Sequence, residues 1–264
     1  MTTHCFTTSS SRGRVTRTIR TLSIVILTLN EEHNIAECIA SVRGADEVVV
    51  IDSGSSDRTL EFAAASGARV ILHPMTDFSE QRNFANQQAI CDWILHLDAD
   101  ERVTPELMRE IRQVTAATEA DAFRVPTLNW MLGAPFRHGG WYPQYHIRLL
   151  RQGRGTWGRD VHESVYVNGF VGRLKEPIVH HSHPDISSFI LKLDRYTDYE
   201  ATVAGGSATL LAIRAVFEPG PYFIYKYVLQ QGFRDGWRGL VMSLLLAYYR
   251  SVGYLKALEL RRRR

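Results

Sequence analysis

Short apolar runs alternate with amphipathic segments along the first half of the chain. Residues 23–29 and 47–51 are rich in β-branched side chains, which is typical of buried parallel strands. Strands that alternate with short helices predict a βαβ arrangement with a largely parallel sheet. The predicted strands are 23–29, 47–51, 69–72, 93–97 and 122–126, and the predicted helices are 31–42, 58–66, 80–90 and 105–115.

Polar residues at the strand ends predict the starts of the helices. Asn30 follows the first strand and is expected to cap the helix at 31–42, and Asp57 is expected to cap the helix at 58–66. Pro105 is well suited to the first turn of the next helix. We therefore expect the polar loops to lie together at one edge of the sheet.

The second half of the chain has a different pattern. Residues 129–160 combine five Trp and Tyr side chains with many Gly, Arg and His residues, which favours loops and short strands around a polar ligand. Residues 161–167 alternate like a strand, and 186–216 predict a helical region with a break at Gly205–Gly206.

The end of the chain predicts helices at a membrane surface. The apolar run 240–249 is cut by Arg250 and is well short of the roughly 20 residues that a membrane span needs. Aromatic and basic residues flank the run, so a pair of interfacial helices is favoured. The alternative is that these helices pack on the preceding domain and hide its apolar side.

Length and composition fit one large α/β domain with an appendage. The chain has 264 residues, of which 45 % are hydrophobic and 22 % charged. The net charge of +3 is no signature of nucleic-acid binding, and we expect no nucleic-acid partner. Arginines near both ends, including 261–264, would favour contact with anionic lipid beside an apolar helix.

Cysteine use and the first residues bear on location. Three widely spaced cysteines indicate neither a disulfide framework nor a zinc knuckle, so a reducing cytoplasm fits best. Residues 1–21 lack acidic residues and an apolar h-region, which excludes a secretory signal. We predict a disordered leader at 1–21; an organellar transit peptide and a misassigned start are the alternatives.

A pair of carboxylates ends the fourth predicted strand. Asp98 and Asp100 are separated only by Ala99 and follow an apolar run. Ligands bind open α/β sheets at the carboxyl ends of the strands. Two adjacent carboxylates are stabilised by a hard divalent cation that also takes phosphate oxygens, so the pair predicts a metal–diphosphate site. The alternative is that both aspartates are loop caps ahead of Pro105.

Several motifs in this order resemble the GT-A glycosyltransferases of family 2, which are inverting and use nucleotide sugars. They are Thr28-Leu29-Asn30-Glu31, Asp52-Ser53-Gly54-Ser55-Ser56-Asp57, Gln81-Arg82-Asn83 and Asp98-Ala99-Asp100. Later motifs resemble the WaaE/KdtX branch of this family, whose members add sugars during lipopolysaccharide core assembly. They are Arg137 to Pro143, Arg148-Leu149, Gly158 to Glu163 and the 222–254 segment.

The resemblance implies a donor site for a nucleotide diphosphate sugar. It implies that Asp100 binds Mg²⁺ or Mn²⁺ directly, that Asp98 contacts the metal through water or contacts the ribose, and that Asp52 contacts the nucleobase. Asp52 has the alternative role of accepting from turn amides, and Ser53 departs from the commoner family pattern, which has a second Asp. The other residues assigned to the donor are Thr28, Asn30, Glu31 and Arg82.

Two of these donor assignments have open alternatives. Glu31 either reaches the ribose or, as a first-turn acid, interacts with the helix dipole. Arg82 either holds the diphosphate or is an ordinary surface arginine. His180 belongs to a cluster with His181 and His183, and the resemblance implies that a downstream histidine completes the metal shell; its alternative role is to orient a loop.

An inverting transfer needs one general base to take the proton of the acceptor hydroxyl. Glu163 is the first candidate and Asp160 the second, because both are acids downstream of the aspartate pair. The alternative for Glu163 is an outward strand residue paired with an arginine. Trp141 and Tyr142 are candidates for stacking on a sugar or base, and His138 and Arg148 for contacting acceptor phosphates.

The resulting hypothesis is an α/β chain with a GT-A fold and a C-terminal helical appendage. We predict a GT-A catalytic domain at 22–215 and an amphipathic, membrane-associated tail at 216–264, peripheral on the inner face of the cytoplasmic membrane. The enzyme would transfer a hexose, with glucose as first candidate, to a glycolipid such as the lipopolysaccharide inner core. The alternatives are a polyprenyl-phosphate glycosyltransferase and, more remotely, a metal-dependent nucleotidyltransferase.

Overall fold

The computed structural model describes residues 20–74, 77–158 and 164–262. The strands are β1 Leu22–Thr28, β2 Glu47–Asp52, β3 Arg69–Leu72, β4 Trp93–Asp98, β5 Glu101–Val103, β6 Ala122–Met131, β7 Ala134–Pro135, β8 Gln144–Arg151, β9 Gly155–Gly158, β10 Ser164–Val167, β11 Val171–Arg173 and β12 Ile178–His183. The helices are α1 Ile35–Ser41, α2 Thr59–Ala65, α3 Phe78–Gln88, α4 Pro105–Thr115, α5 Ile186–Val203, α6 Ala208–Phe217, α7 Pro219–Ile224 and α8 Gly236–Arg262. A π-helical turn at Tyr225–Leu229 and a 3₁₀ turn at Gly232–Asp235 link α7 to α8.

The main sheet has the strand order β3-β2-β1-β4-β8-β6-β12-β5, with β7 and β11 also pairing with β6. The first four strands in this order are parallel, which confirms the βαβ prediction for the N-terminal half. β8 then lies antiparallel between β4 and β6, so the second half of the sheet is mixed. β9 and β10 form a separate antiparallel pair.

Alternate residues of β1 face two helical layers. Ile24 and Ile26 pack with α1, α2 and α4 in the larger core, whereas Val25 and Leu27 pack with α3 on the other face. All four side chains are buried, which explains the continuous apolar run of a central parallel strand. Burial on both faces holds the carboxyl end of β1 beside those of β2 and β4.

Of the two predicted helix caps, the one at Asn30 is wrong. α1 begins at Ile35 with Asn34 at its N-cap, and Asn30 instead adopts a left-handed conformation with φ of 55°. The Oδ1 atom of Asn30 accepts from the backbone N–H of Ser56 at 2.8 Å, so this side chain ties two loops together. The other cap differs by one position: Arg58 directly precedes α2, but the Oδ1 atom of Asp57 accepts from the backbone N–H of Thr59 at 3.0 Å and so caps the start of the helix.

The C-terminal helices pack on one another and on the sheet. α5 and α6 both contact α8, and the break between them falls at the predicted glycines. One apolar cluster joins Met131 and Phe136 to Phe189 and Leu193 of α5 and Met242 of α8. Within the described ranges, no helix is both long and apolar enough to cross a bilayer.

Only part of the predicted domain division falls within the residues that the structure describes. The leader predicted at 1–21 lies almost wholly outside them, as does the first part of the strand predicted at 161–167. The boundary near 215 stays a prediction. α5 precedes this boundary and α8 follows it, and the two helices pack against each other.

Candidate active site

The aspartate pair lies at the carboxyl edge of the parallel sheet. β4 ends at Asp98, and a tight turn through Ala99 and Asp100 leads directly into β5. Asp98 is in register with Leu27 of β1, and Thr28 is in register with Asp52 of β2. Parallel pairing therefore brings the predicted donor residues of three strands to one edge.

Two arginines hold the Asp98 carboxylate. Arg82 on α3 donates to its Oδ1 at 3.0 Å, and Arg148 on β8 donates to its Oδ2 at 3.1 Å. The side chains of both arginines are buried, at 5 % and 12 % exposure. Burial opposes ionisation of Asp98, but the charges of the two arginines outweigh it and hold its pKa well below the usual range. Asp98 is thus fixed as a carboxylate.

Glu101 is a component of the site that the sequence did not reveal. Its side chain is buried, and its Oε2 accepts from the backbone N–H of Asp98 at 2.9 Å. Its Oε1 accepts from Arg148 at 2.9 Å. Burial raises the pKa of Glu101, and the charge of Arg148 opposes that rise. The side chain thus folds back and braces the aspartate turn.

Asp100 lies beside His180. Nε2 of His180 is 3.1 Å from Oδ2 of Asp100, and Nδ1 is 3.1 Å from Oδ1 of Asn129. Burial disfavours the charged imidazole, but the hydrogen bond and negative charge of Asp100 outweigh it and raise the pKa of His180. Strand β12 sets this geometry, because it pairs with β5 on one side and β6 on the other.

The donor set around Asp100 fits a cation held mainly by substrate. Among the described residues, no group of three acidic, histidine or cysteine side chains converges into a complete metal site. Asp100 and His180 supply one carboxylate and one imidazole. Mg²⁺ commonly takes one or two protein carboxylates together with substrate phosphates and water, so a two-residue site is sufficient.

The loop after β2 uses Asp52 internally. The carboxylate of Asp52 is fully buried; its Oδ1 accepts from the backbone N–H groups of Gly54 and Ser55, each at 2.8 Å. Its Oδ2 accepts from the Ser55 hydroxyl at 2.5 Å. A contact between Asp52 and a nucleobase therefore requires this turn to open, and that role stays a prediction.

The other predicted donor residues surround this turn. Thr28 is buried, and no described residue hydrogen-bonds to its Oγ1. Glu31 accepts from the Asn34 amide at 2.7 Å, and burial raises the pKa of its carboxyl group. The backbone N–H of Asn30 donates to the Ser55 hydroxyl at 2.8 Å. The loops that follow β1 and β2 thus form one hydrogen-bonded unit.

The structure excludes one of the two alternatives for Arg82. It is not an exposed surface arginine, and its guanidinium lies over the Trp157 ring at 4.8 Å from the centroid. Its position beside Asp98 connects α3 to the end of β4. A diphosphate contact by Arg82 stays a prediction.

A cavity of about 340 Å³ opens beside the aspartate pair. Glu101, Arg148 and His180 line the sheet side of this cavity. Helices α5 and α8 supply the opposite side, which includes Lys192, Tyr196, Leu246 and Tyr249. The remaining polar lining includes Asn129, Gln144 and His146. Polar groups on one wall and aromatic and apolar groups on the other are suited to a sugar ring.

Some predicted residues are not brought to this cavity. His138 instead pairs with Asp235, with Nδ1 and Oδ1 2.8 Å apart. His181 lies against the Trp130 ring, whereas His183 lines the cavity. The two candidate bases, Glu163 and Asp160, lie outside the described residues. The contribution of α5 and α8 was also missed, because residues 186–216 were predicted only as a helical region and the segment that contains α8 only as a packing or membrane-contact segment.

Comparison with known proteins identifies the class. The family model described as Glycosyl transferase family 2 matches residues 23–162, which is more than half of the chain. The chain belongs to glycosyl transferase family 2 and is a glycosyltransferase. The match confirms the predicted family and the predicted GT-A class of α/β fold, with the aspartate pair, Asp52 and Arg82 all inside the matched range.

Two relatives align over most of their length. The chain is 28 % identical over 239 residues to the lipopolysaccharide core biosynthesis glycosyltransferase LpsC of Rhizobium meliloti (strain 1021), covering 86 % of this chain and 88 % of LpsC. It is 29 % identical over 256 residues to an uncharacterized glycosyltransferase of Rickettsia felis, covering 90 % and 89 %. Both alignments cover more of the chain than the family match does.

Among solved structures, glucosyl-3-phosphoglycerate synthase of Mycobacterium tuberculosis, in complex with Mn²⁺, UDP and glucosyl-3-phosphoglycerate, is 26 % identical. The match has a TM-score of 0.37 and covers 42 % of this chain and 44 % of that chain. Because this match covers less than half of either chain, we infer neither substrate nor metal from it.

Proposed function

We propose that this glycosyltransferase moves a hexose, with glucose as first candidate, from a nucleotide diphosphate sugar to a glycolipid of the lipopolysaccharide inner core, with inversion. The observation that carries the proposal is the aspartate pair at the sheet edge, with His180 against Asp100 and a sugar-sized cavity alongside. The role of LpsC in lipopolysaccharide core biosynthesis supports the lipopolysaccharide acceptor, since LpsC aligns with 86 % of this chain.

The donor would occupy the edge formed by the ends of β1, β2 and β4. We assign its nucleoside to Thr28, Asn30, Glu31 and Asp52 and its diphosphate to Arg82 and the aspartate pair. Asp98 already pairs with two arginines. This favours the water-mediated or ribose contact for Asp98 and leaves direct metal binding to Asp100.

Asp100 and His180 would hold the Mg²⁺ or Mn²⁺ ion. When bound, such an ion offsets the negative charge that develops on the departing nucleotide diphosphate. His180 must be neutral to be a ligand, so metal binding would release its proton. Because the pKa of His180 is raised, metal affinity is expected to increase with pH as His180 deprotonates.

The acceptor hydroxyl would enter from the cavity between the sheet and α5. Tyr196 and Tyr249 are placed to lie along a sugar ring, and Lys192 offers a positive charge. Glu163 would take the hydroxyl proton while the oxygen attacks the anomeric carbon from the face opposite the nucleotide, with Asp160 as the second candidate. A glycolipid acceptor also explains why helices rich in exposed apolar residues adjoin the cavity.

A glycolipid acceptor places the enzyme at a membrane surface. We therefore propose that the C-terminal helices dock on the inner face of the cytoplasmic membrane, with the enzyme as a peripheral protein. Deleting residues 219–264 would be a poor test, because it would uncover the cluster around Met131, Phe189 and Met242. Single surface substitutions preserve that packing.

The donor is tested by thermal unfolding with UDP-, GDP-, ADP- and CMP-sugars and Mn²⁺. Ligand at 100 times its dissociation constant stabilises the native state by about 2.7 kcal/mol, which is a shift of roughly 5–10 °C. We expect one nucleotide to give this shift. In Asp100→Asn the Mn²⁺-dependent part of the shift and the turnover should both disappear, whereas Asp194→Asn on the exposed face of α5 should behave as wild type.

The acceptor is tested by transfer of labelled sugar to inner-core lipopolysaccharide and, separately, to polyprenyl phosphate. Label in the lipopolysaccharide is the expected result. Label only in the polyprenyl lipid would replace the proposed acceptor. Full turnover by Asp100→Asn would end the metal assignment.

A further inference from the structure

A second cavity lies among the C-terminal helices. α6, α7 and α8 enclose about 510 Å³, and none of the lining residues belongs to the cavity beside the aspartate pair. Two arginines, Arg214 and Arg250, lie in this groove with the rings of Tyr222 and Tyr225. These two positive charges in a largely apolar groove would be stabilised by an anion.

Arg250 lacks an anionic partner within the part of the chain that the structure describes. It is half-buried, its guanidinium lies 4.8 Å from the centroid of the Tyr222 ring, and no described carboxylate or hydrogen-bond acceptor reaches it. Nζ of Lys226 lies 5.8 Å from the centroid of the same ring. Burial and the charge of Arg250 lower the pKa of Lys226, which shows that the two cations repel each other. A bound anion would relieve this repulsion and supply the missing acceptor.

The acidic side chain in the lining of this groove already has two partners. Glu218 pairs with Arg214, with Oε1 3.3 Å from Nε. Its Oε2 accepts from the Tyr254 hydroxyl at 2.6 Å. The groove therefore keeps the unneutralised charge of Arg250.

Apolar side chains border the cations on the outer side. Ile213 and Phe217 of α6 are 50 % and 69 % exposed and line the groove, as does Tyr225 at 44 %. The opposite face of α6 is buried, because Leu211 packs with Ala257 of α8. A half-buried cation bordered by exposed apolar side chains matches an amphiphile with an anionic head and an apolar tail.

We propose that this groove binds one anionic glycerophospholipid, with its phosphate on the Arg250 guanidinium and its acyl chains along Ile213 and Phe217. The site would fix one lipid at a defined position and so orient the catalytic cavity relative to the bilayer. The inference rests on the membrane docking in the proposed function and not on the donor or acceptor chemistry.

The test is flotation of the full chain with two kinds of vesicle, phosphatidylcholine alone and phosphatidylcholine mixed with phosphatidylglycerol. We expect binding to the mixed vesicles to be the tighter. Arg250→Gln should weaken that binding by about five-fold or more, since one basic residue near an anionic surface contributes on this scale. Arg109→Gln removes the same charge from an exposed position on α4 and should change binding less than about two-fold.

Three outcomes would overturn the lipid site. Equal losses of vesicle binding in the two variants would mean that binding depends on diffuse electrostatic attraction. Equal binding to both kinds of vesicle would mean that the groove does not bind the lipid phosphate. Stabilisation by glycerol 3-phosphate with no vesicle binding would make the ligand a soluble phosphate. Thermal-unfolding shifts caused by nucleotide sugars separate this inference from the proposed function. In Arg250→Gln these shifts should match those of the wild type, whether or not the groove binds lipid.

Discussion

The parallel-sheet half of the molecule and its C-terminal helices treat their apolar side chains in opposite ways. Ile24, Leu95 and Leu97 in the central strands are fully buried between two helical layers. Trp237 and Leu244 of α8 are 58 % and 52 % exposed. Spacing of i, i+3 and i+4 places the exposed residues Trp237, Leu240, Leu244 and Tyr248 on one stripe of α8. The first region is closed by its own core, whereas the second presents a surface suited to a partner.

Charged groups show the same contrast. The sheet half holds Asp98, Glu101 and Arg148 in a buried network at the candidate active site. In the helices, Lys256 pairs with Asp194 and Asp198, whose side chains are each 67 % exposed. A largely buried network of ion pairs fixes side-chain positions, as chemistry requires. The helical region is instead suited to contact with an extended surface.

The largest expected difference between the regions is in catalysis. Replacing the proposed base in Glu163→Gln removes its ability to accept a proton, so transfer should fall by about 10²- to 10⁴-fold. Donor binding, measured by thermal shift, should be unchanged. Asp198→Asn on α5 is the matched control and should keep the wild-type rate. An unchanged transfer rate in Glu163→Gln would move the base to Asp160.

The next largest effect concerns the buried network. Arg148→Met removes the cation from the buried carboxylate of Glu101, and breaking a buried pair in this way typically costs about 3–5 kcal/mol. Asp98 keeps its pair with Arg82 in this variant. Arg109→Met breaks the exposed pair with Glu106 on α4 and should cost only about 0.2–0.5 kcal/mol. Urea unfolding of the two variants measures both values. Similar losses in the two variants would mean that the network adds nothing to stability.

The sequence predicted the sheet half well because local pattern and tertiary role agree there. β1, β2 and β4 are apolar on both faces, and α4 begins at Pro105 with the Thr104 side chain accepting from the Leu107 N–H. Each element is therefore recognisable from its own residues. The position of Asp98 and Asp100 follows directly from the end of β4.

What the sequence did not predict depends on contacts between distant segments. β8 alternates polar and apolar residues from Gln144 to Arg151, but Gly-, Arg- and aromatic-rich neighbours obscured it, and it enters the sheet between β4 and β6. Only that insertion brings Arg148 to Asp98. Asn30 reads as a helix cap, yet its partner Ser56 lies 26 positions away in the next loop.

A smaller effect should appear in the acid stability of the helix–sheet junction. His183 is buried edge-on against Phe189, and burial, helped by the charge of Lys192, lowers its pKa to about 4. The neutral form is favoured in the folded state, so its contribution is present above the unfolded pKa of 6.5 and is lost as pH falls towards 4. The loss should be on the order of 2–3 kcal/mol.

Comparison with His183→Gln isolates this contribution. The glutamine side chain does not titrate, so the fall in unfolding free energy between pH 7 and pH 4 should be smaller in the variant by about that amount. Other buried histidines, such as His96, are present in both proteins and cancel in the difference. Parallel pH profiles would show that His183 has the same pKa in the folded and unfolded chains.

The smallest expected effect tests the comparison between the two regions most directly. Leu244→Ala truncates an exposed side chain of α8 and should change the free energy of unfolding by less than about 0.5 kcal/mol. The same change at Leu97, which is fully buried in β4, should cost about 2–5 kcal/mol. Urea unfolding at several protein concentrations measures both. A large, concentration-dependent cost at Leu244 would mean that a second copy covers the α8 stripe, and the stripe would then be an interface between protein chains and not a surface for lipid.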